Sequence, residues 1–405
     1  MRVLLVSKFL ERRGGVETYL YDLGRILSER GVDVQFFGVN TKNRELGNEC
    51  GVYAPPIELG GSQGLAKVKD IGRTINSPDN ARALSKLLDK LEPDVIHFNN
   101  IHYHLTPSTI EAAHEYKMRS RKPVGIVMTM HDYHSLLPCD GCMNNASFEV
   151  CDQCIDRKFA RCALRGCTRG GRAKSIVAAA EAMYWNHRHV YRLLDRVICP
   201  SDCMRQKFDQ VDDFAGRTVH LANFCNVERS CGIKSNYVLY FGAYHRDKGL
   251  ATLLDIAERH PEIQFKCAGR GPLAERMRGI PNVEDLGFNS GKALRRIVGA
   301  ARLCVVPSEV VENSPFVALE ALCSSTPVLG ARIGGIPELV NDGVTGELFE
   351  FRNAEDFERR LVSLMGDPDR LDRYTKNCAS FEPMSQRRYY ELLLDVYAEA
   401  MKKKE

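Results

Sequence analysis

The 405-residue sequence contains no long hydrophobic run, because no stretch approaches the ~20 consecutive apolar residues that cross a membrane. Its first apolar run, Arg2–Ser7, is followed directly by Lys8 and is too short for the apolar segment of a signal peptide. Apolar residues make up 44% and charged residues 27%, which excludes extended disorder, collagen and coiled coils. We therefore expect a cytoplasmic protein of two domains, because single cores stop growing near ~250–300 residues.

Cysteine is abundant, with fifteen residues, an odd number that argues against a disulfide framework in a cytoplasmic protein. Six of them fall between Cys139 and Cys167. Within that group, the spacing Cys139-x2-Cys142-x8-Cys151-x2-Cys154 is typical of a structural zinc site, in which four thiolates order a loop without a core of its own. Two interpretations stay open: a zinc-ordered insertion held by these four cysteines, or a group of buried or reactive thiols.

Short β-like runs alternate with helical stretches along the chain, which predicts parallel sheets with helices on both faces. The series pauses at the polar connector 223–235 and starts again at Tyr237–Phe241. The predicted fold class is α/β, with two doubly wound, Rossmann-like domains. We expect an N-terminal domain over 1–230 with a Cys-rich insertion at 139–172, a C-terminal domain over 231–384, and a terminal helix over 385–405 that packs back on the N-terminal domain.

Glycine turns connect strands to helices at several points. Gly14 and Gly15 follow the first strand, where a close backbone approach and a helix N-terminus favour an anion such as a diphosphate. In the second half, Lys248 lies at a helix start, against the dipole preference, so an anionic ligand explains it better than helix stability does. A tight turn and a solvated lysine are the simpler alternatives, and each signal is weak when taken alone.

The strongest local feature is the segment 307–321. Ser314 is predicted to cap a helix with Pro315 at its first position. Glu320 then lies in the first turns of an otherwise apolar helix, where an unpaired carboxylate is unfavourable. Sugar hydroxyls could serve as its partners, and so could an arginine or a backbone group.

Glu312 and Glu320, with seven residues between them, resemble the E-x7-E motif of the retaining group 1 glycosyltransferases of the GT-B fold. The resemblance covers nearly the whole chain in the right order. Its other motifs are the Gly-Gly-Val-Glu loop from Gly14, Lys248-Gly249, Gly269-x-Gly271-Pro272, and Gly334-Gly335-Ile336-Pro337-Glu338 running to Gly343-x-x-Gly346.

The resemblance implies two domains facing across a cleft, with the acceptor on the N-terminal side and the nucleotide-sugar mainly on the C-terminal side. By the same resemblance, Glu320 binds the ribose and Glu312 the transferred sugar, while His131 touches the donor sugar near the reacting carbon. Many family members carry an arginine where this chain has Ala243, and Arg246 is a candidate replacement. The remaining implied donor contacts are Lys248 and Gly15 on the diphosphate, with Gly14 beside it, Gly269 in its glycine turn, and the N–H groups of Asn313, Ser314, Pro315 and Phe316.

The implied reaction is transfer of a hexosyl unit, with retention, from a UDP- or GDP-linked sugar to a glycan or lipid-linked glycan in cell-surface polysaccharide synthesis. Departure of the diphosphate concentrates negative charge that Lys248 and helix N-termini would stabilise. We expect no catalytic cofactor, since the sequence Asp367-Pro368-Asp369 has Asp-x-Asp spacing but is typical of a turn and helix cap. His131, Lys248 and Glu312 are the predicted catalytic residues.

Two alternatives are weighed against this reaction. A nucleotide-sugar 2-epimerase shares the fold, but the Glu312 and Glu320 spacing favours a transferase. A zinc-dependent nucleic-acid-binding protein would use the cysteines and nearby basic residues, but that region lacks interleaved aromatics for base stacking. We therefore expect no nucleic-acid partner.

A basic segment runs from Arg157 to Lys207, with twelve lysines and arginines against three acidic residues. The chain as a whole has a net charge of only +4, so the rest is acidic on balance. Such a segment suits peripheral contact with anionic lipid on the inner face of the membrane, and equally a solvated surface.

Overall fold

A computed structural model describes residues 1–57, 64–225 and 232–402. The chain forms two compact units: unit 1 comprises Met1–Ala222 and Arg387–Glu405, and unit 2 comprises Asn223–Gln386. The domain boundary predicted at 230/231 lies outside the described residues, as does Cys231. Among the helices that the structure describes, none is both long and apolar enough to cross a membrane.

The main sheet of unit 1 has six parallel strands in the order β2-β1-β3-β4-β7-β8. Its central strands β3 and β4 are buried at every position because helices cover both faces, which is why they appear in the sequence as mostly apolar runs, with the buried His97 as the exception in β3. The strands of unit 1 are β1 (Arg2–Val6), β2 (Asp33–Phe37), β3 (Val95–Phe98), β4 (Gly125–Thr129), β5 (Met143–Asn144), β6 (Glu149–Val150), β7 (Arg196–Cys199) and β8 (Thr218–His220).

The helices of unit 1 lie mostly between these strands, as the predicted alternation requires. Helix α6 ends at His187 and is followed by a 3-10 turn at Val190–Leu193. The helices are α1 (Gly15–Ser28), α2 (Leu65–Ile75), α3 (Pro78–Leu91), α4 (Ser108–Arg119), α5 (Ala160–Arg165), α6 (Gly171–His187) and α7 (Asp202–Asp209).

The Cys-rich insertion lies between β4 and α6. It contains the small antiparallel hairpin of β5 and β6, two 3-10 turns at Asp140–Cys142 and Gln153–Asp156, and the short helix α5. The insertion therefore adds irregular structure beyond the end of β4, next to the loop that contains His131.

Unit 2 has a second parallel sheet, in the order β11-β10-β9-β12-β13-β14, around its own apolar core. Asp367 caps α14 by accepting a hydrogen bond from the Arg370 N–H, which confirms the turn and cap predicted for this Asp-Pro-Asp. The elements are β9 (Val238–Ala243), α8 (Leu250–Arg259), β10 (Phe265–Arg270), α9 (Ala274–Met277), β11 (Val283–Asp285), α10 (Gly291–Ala300), β12 (Leu303–Val306), α11 (Phe316–Cys323), β13 (Val328–Ala331), α12 (Ile336–Leu339), β14 (Gly346–Phe349), α13 (Ala354–Met365) and α14 (Pro368–Ala379).

The terminal helix α15 (Gln386–Met401) packs in unit 1 through a buried tyrosine–histidine network. The hydroxyls of Tyr389 and Tyr19 lie 2.6 Å apart, and the Tyr397 hydroxyl lies 2.7 Å from His97 Nδ1. The other ring nitrogen of His97 lies 2.8 Å from Thr129 Oγ1. Each polar group of this network has a partner, so its burial leaves no unmade hydrogen bond at these atoms.

Candidate functional site

The candidate site of unit 2 lies where the order of its strands reverses. Numbered along the chain, the six strands have the order 3-2-1-4-5-6, so β9 and β12 are neighbours although their crossover helices lead in opposite directions. Open α/β sheets bind ligands in the crevice at the carboxyl ends of two such strands. Lys248 follows β9, and Glu312 follows β12.

Lys248 and Glu312 meet in this crevice. Lys248 Nζ lies 2.6 Å from Glu312 Oε1, and Ser308 Oγ donates to the same oxygen at 2.6 Å. Ser308 is buried, while the side chains of Lys248 and Glu312 are 36% and 15% exposed. The positive charge of Lys248, which is unfavourable at a helix start, is therefore paired with the Glu312 carboxylate.

Backbone contacts fix the two loops that carry this pair. The Glu309 N–H donates to the Asp247 carbonyl at 2.9 Å, and the Gly335 N–H donates to the Glu312 carbonyl at 2.8 Å. Gly334 has φ 58°, and a Cβ there would lie 2.1 Å from the Glu312 carbonyl oxygen. Only glycine fits this close approach.

The start of α11 differs from the prediction. The helix begins at Phe316, and Pro315 precedes it with an extended ψ of 116°, so the Pro315 carbonyl accepts the first helical bonds from Ala318 and Leu319. Ser314 was predicted to cap the helix, but no side-chain cap is present. Pro315 also has no N–H, so the predicted donor amides here reduce to those of Asn313, Ser314 and Phe316.

The other predicted donor-binding residues lie around the same edge of unit 2. Glu320 is half-buried on α11. The pKa of Cys304 on β12 is raised first by the burial of its thiol and second by the negative charge of Glu320. Gly269 packs against the Gly242 carbonyl, so a Cβ on residue 269 would lie 1.8 Å from the Gly242 carbonyl oxygen. Ala243 is the last residue of β9, Arg246 lies in the loop that follows, and both are exposed.

In unit 1, the predicted residues follow β1 and β4. Gly14 is the extended residue that precedes α1, which begins at Gly15. His131 Nε2 lies 3.0 Å from Asn99 Oδ1, and the His131 ring meets the Tyr19 ring edge-on with centroids 5.0 Å apart. Burial lowers the pKa of His131 to about 4, against the opposing effect of Asp132, so the imidazole is neutral near pH 7.

The motifs do not indicate Ser308 and Asn99, although these residues contact the predicted Glu312 and His131. Ser308 lies within the motif that contains Glu312, but a serine at that point carries no signal of its own. Asn99 follows β3 and becomes the partner of His131 only because β3 and β4 are adjacent in the sheet. Strand order, which the motifs do not encode, brings His131 and Asn99 together.

The six clustered cysteines are free thiols. Burial raises the pKa of Cys142 to about 12 and that of Cys154 to about 11, so both are protonated near pH 7 without a metal. Within the described ranges, no three cysteine sulfurs lie within 4.8 Å of one another as a possible ligand set. This arrangement does not by itself gather four thiolates, and the zinc site at Cys139, Cys142, Cys151 and Cys154 stays a prediction.

Acidic residues neutralise much of the positive charge of the basic segment 157–207. At least eight of its twelve basic side chains form ion pairs, mostly with aspartates or glutamates outside the segment. These pairs are Arg157 and Arg192 with Asp213, Lys158 and Arg161 with Asp156, Arg188 with Glu111, Arg196 with Glu399, Arg205 with Asp202 and Asp209, and Lys207 with Asp152.

The chain is similar in sequence to curated glycosyltransferases and in fold to solved ones. An uncharacterized glycosyltransferase of Methanocaldococcus jannaschii is 27% identical over 216 residues, which cover 50% of this chain and 60% of the relative. The alpha-maltose-1-phosphate synthase of Mycolicibacterium smegmatis is 35% identical over 159 residues, covering 34% and 40%. The chain thus matches about half the length of these curated relatives. Among solved structures, Anabaena HepE in complex with UDP and glucose is 16% identical, with a TM-score of 0.65 over 98% of this chain and 99% of that one.

The family models cover both units. The model for Glycosyltransferase Family 4 matches residues 13–229, and the model for group 1 glycosyl transferases matches residues 230–380. The solved neighbours have the GT-B fold, which agrees with the two parallel α/β sheets described above. The chain therefore belongs to the group 1 glycosyltransferases of the GT-B fold.

Proposed function

We propose that the protein transfers a hexosyl unit, with retention and without a catalytic metal, from a nucleoside diphosphate sugar to a glycan or lipid-linked glycan acceptor. The observation that carries the proposal is the contact of Lys248, Glu312 and Ser308 at the strand-order reversal of unit 2. A cation and a carboxylate at that point suit a ligand that carries both phosphate and hydroxyl groups.

The chemistry follows from the leaving group. When the bond between the anomeric carbon and the diphosphate breaks, the oxygen keeps the electron pair and the sugar becomes oxocarbenium-like. The Lys248 ammonium group would stabilise the charge that develops on the diphosphate. Because Lys248 Nζ lies 2.6 Å from Glu312 Oε1, a bound diphosphate would share the ammonium group with this carboxylate. Glu312 would in turn accept a hydrogen bond from a sugar hydroxyl. The acceptor oxygen would form its bond to the anomeric carbon on the face that the diphosphate leaves, while a diphosphate oxygen takes the acceptor proton.

The donor is proposed as a UDP-sugar first and a GDP-sugar second, because UDP occupies the solved neighbour HepE. The relatives give no support to the 2-epimerase alternative. The proposed acceptor is a polysaccharide or lipid-linked glycan, and contact with anionic lipid at the membrane surface stays a hypothesis that the ion pairs of the basic segment make weaker.

A thermal-shift screen tests the donor. We expect one class of nucleotide-sugar, UDP-linked first, to raise the melting temperature, since a ligand at 100 times its Kd adds ~2.7 kcal/mol to the stability of the protein that binds it. Calorimetry with UDP-, GDP- and ADP-sugars measures the shift. If no nucleotide-sugar shifts the melting temperature while the chain is folded by circular dichroism, the proposed function is wrong.

Chelation tests the absence of a catalytic metal. We expect the initial rate of sugar transfer to be unchanged when EDTA is added to the assay, because Lys248 and backbone amides supply the positive charge that a cation would otherwise provide. The measurement is release of the nucleoside diphosphate with the donor found in the screen. Loss of the rate with EDTA and recovery with Mn²⁺ or Mg²⁺ would contradict this mechanism.

A further inference from the structure

A second cluster of chemically active side chains lies in unit 1, apart from the residues assigned above. His102 follows β3, His134 follows β4, and Glu181 lies on α6. One ligand atom from each lies within 4.8 Å of the others, and this is the one such set of three within the ranges that the structure describes. Their exposed fractions are only 4%, 8% and 3%.

Two atoms of this cluster are buried without a hydrogen-bond partner. They are His102 Nδ1 and Glu181 Oε1, which face each other at 3.5 Å. His102 Nε2 lies 3.0 Å from Ser135 Oγ. If that nitrogen donates its proton to Ser135, Nδ1 presents a lone pair to the carboxylate, and two acceptors are buried face to face, which is unfavourable. A cation between them would satisfy both.

The spacing of the ligand atoms fits such a cation. Glu181 Oε2 lies 2.9 Å from His134 Nε2, and the His102 and His134 rings are 4.2 Å apart between centroids. Tetrahedral Zn²⁺ with bonds of 2.0–2.1 Å places its ligand atoms about 3.3 Å apart. The two carboxylate contacts, at 2.9 and 3.5 Å, lie on either side of that value.

The chemistry of the set fits as well. Two imidazoles and one carboxylate are ligands that zinc and other divalent transition metals share. A histidine that binds a metal usually donates its other ring N–H to a neighbouring group, and Ser135 stands in that place for His102. A cavity of about 30 Å³ lined by the cluster has room for one water as a fourth ligand.

We propose that His102, His134 and Glu181 bind a divalent transition-metal ion, with Zn²⁺ as the probe. The ion would fasten α6, which follows the Cys-rich insertion, to the loops after β3 and β4. This site shares no residue with the predicted cysteine zinc site or with the Lys248 and Glu312 pair. Its test is a metal measurement that needs neither donor nor acceptor, so it can fail independently of the proposed function.

The experiment uses the full chain, stripped by dialysis against a chelator, refilled with Zn²⁺ or Co²⁺ and freed of excess metal. We expect Cys139→Ser to retain about one equivalent, and Glu181→Gln, which keeps the size of the side chain but removes its charge, to retain about one equivalent less than the wild type. Glu358→Gln is the matched control, because Glu358 accepts from His260 at 2.8 Å but has no second histidine. The Co²⁺ retained by Cys139→Ser should show visible absorption without a thiolate-to-metal band.

Three results would overturn the proposal. They are a wild type that retains neither metal, a Glu181→Gln variant that retains as much metal as the wild type, and Co²⁺ absorption that is wholly thiolate-based and disappears in Cys139→Ser. The last would assign the metal to the cysteines. If Glu181→Gln fails to fold by circular dichroism, the Co²⁺ spectrum of the wild type and Cys139→Ser decides between the two ligand sets.

Discussion

Replacing Lys248 with methionine is expected to lower the rate of sugar transfer by about 10²–10³, the loss seen when one preorganised donor to a developing anion is removed. Methionine keeps the length of the side chain but removes the ammonium group that lies 2.6 Å from Glu312 Oε1. The charge on the departing diphosphate would then lose its cation from the loop after β9. The measurement is the initial rate of nucleoside diphosphate release at saturating donor and acceptor, with nucleotide affinity determined by calorimetry.

Lys266→Met serves as the matched control for this variant. Lys266 also belongs to unit 2 and pairs with a carboxylate, Glu284, at 2.7 Å, but it lies on β10 rather than in the loop after β9. Its loss should change the rate by less than about twofold, because Lys266 lies near the amino end of β10, away from the carboxyl ends of the strands where Lys248 lies. Loss of its partly exposed ion pair should also cost little stability. A Lys248→Met rate as high as that of Lys266→Met would show that Lys248 does not stabilise the leaving group.

The alternation of strands and helices was predictable because buried strands appear in the sequence as short apolar runs. Strands such as β12 are covered on both faces and therefore appear as short apolar runs, which gave the alternation in both units. The end of α6 was not predictable, because the chain turns at His189 with φ 49° and no glycine or proline marks that point. Tertiary contacts decide such a boundary, and local pattern does not record them.

The candidate site was predictable in its residues but not in its contacts. Motif spacing indicated Lys248 and Glu312, yet these positions are far apart in the chain, and they meet because β9 and β12 are adjacent. His102 and His134 had no motif at all, since a single histidine in a loop has no distinguishing pattern. Contacts of this kind depend on strand order, which the spacing of motifs along the sequence does not reveal.

Unit 1 is expected to lose stability steeply as the pH falls from about 6.5 to about 3, because His97 is buried in its neutral form. Burial lowers the pKa of His97 to about 3, and the nearby His131 adds to the effect. The unfolded chain takes up this proton near pH 6.5, so stability present above that pH is lost as the pH approaches the folded pKa. At pH 4, His97 alone accounts for a loss of roughly 3 kcal/mol, since each unit of pKa difference corresponds to about 1.4 kcal/mol.

Urea unfolding at pH 7 and pH 4 measures this loss in unit 1 through Trp185, the single tryptophan of the chain, which is buried on α6. His97→Gln removes the titrating group while keeping polar atoms near Thr129 and Tyr397, so the difference in stability between the two pH values should shrink by roughly 3 kcal/mol. His187→Gln, at an exposed histidine on the same helix as Trp185, should keep the wild-type difference. If His97→Gln loses as much stability on acidification as the wild type, protonation of His97 does not drive acid unfolding, and the buried network of tyrosines and histidine tolerates the charge.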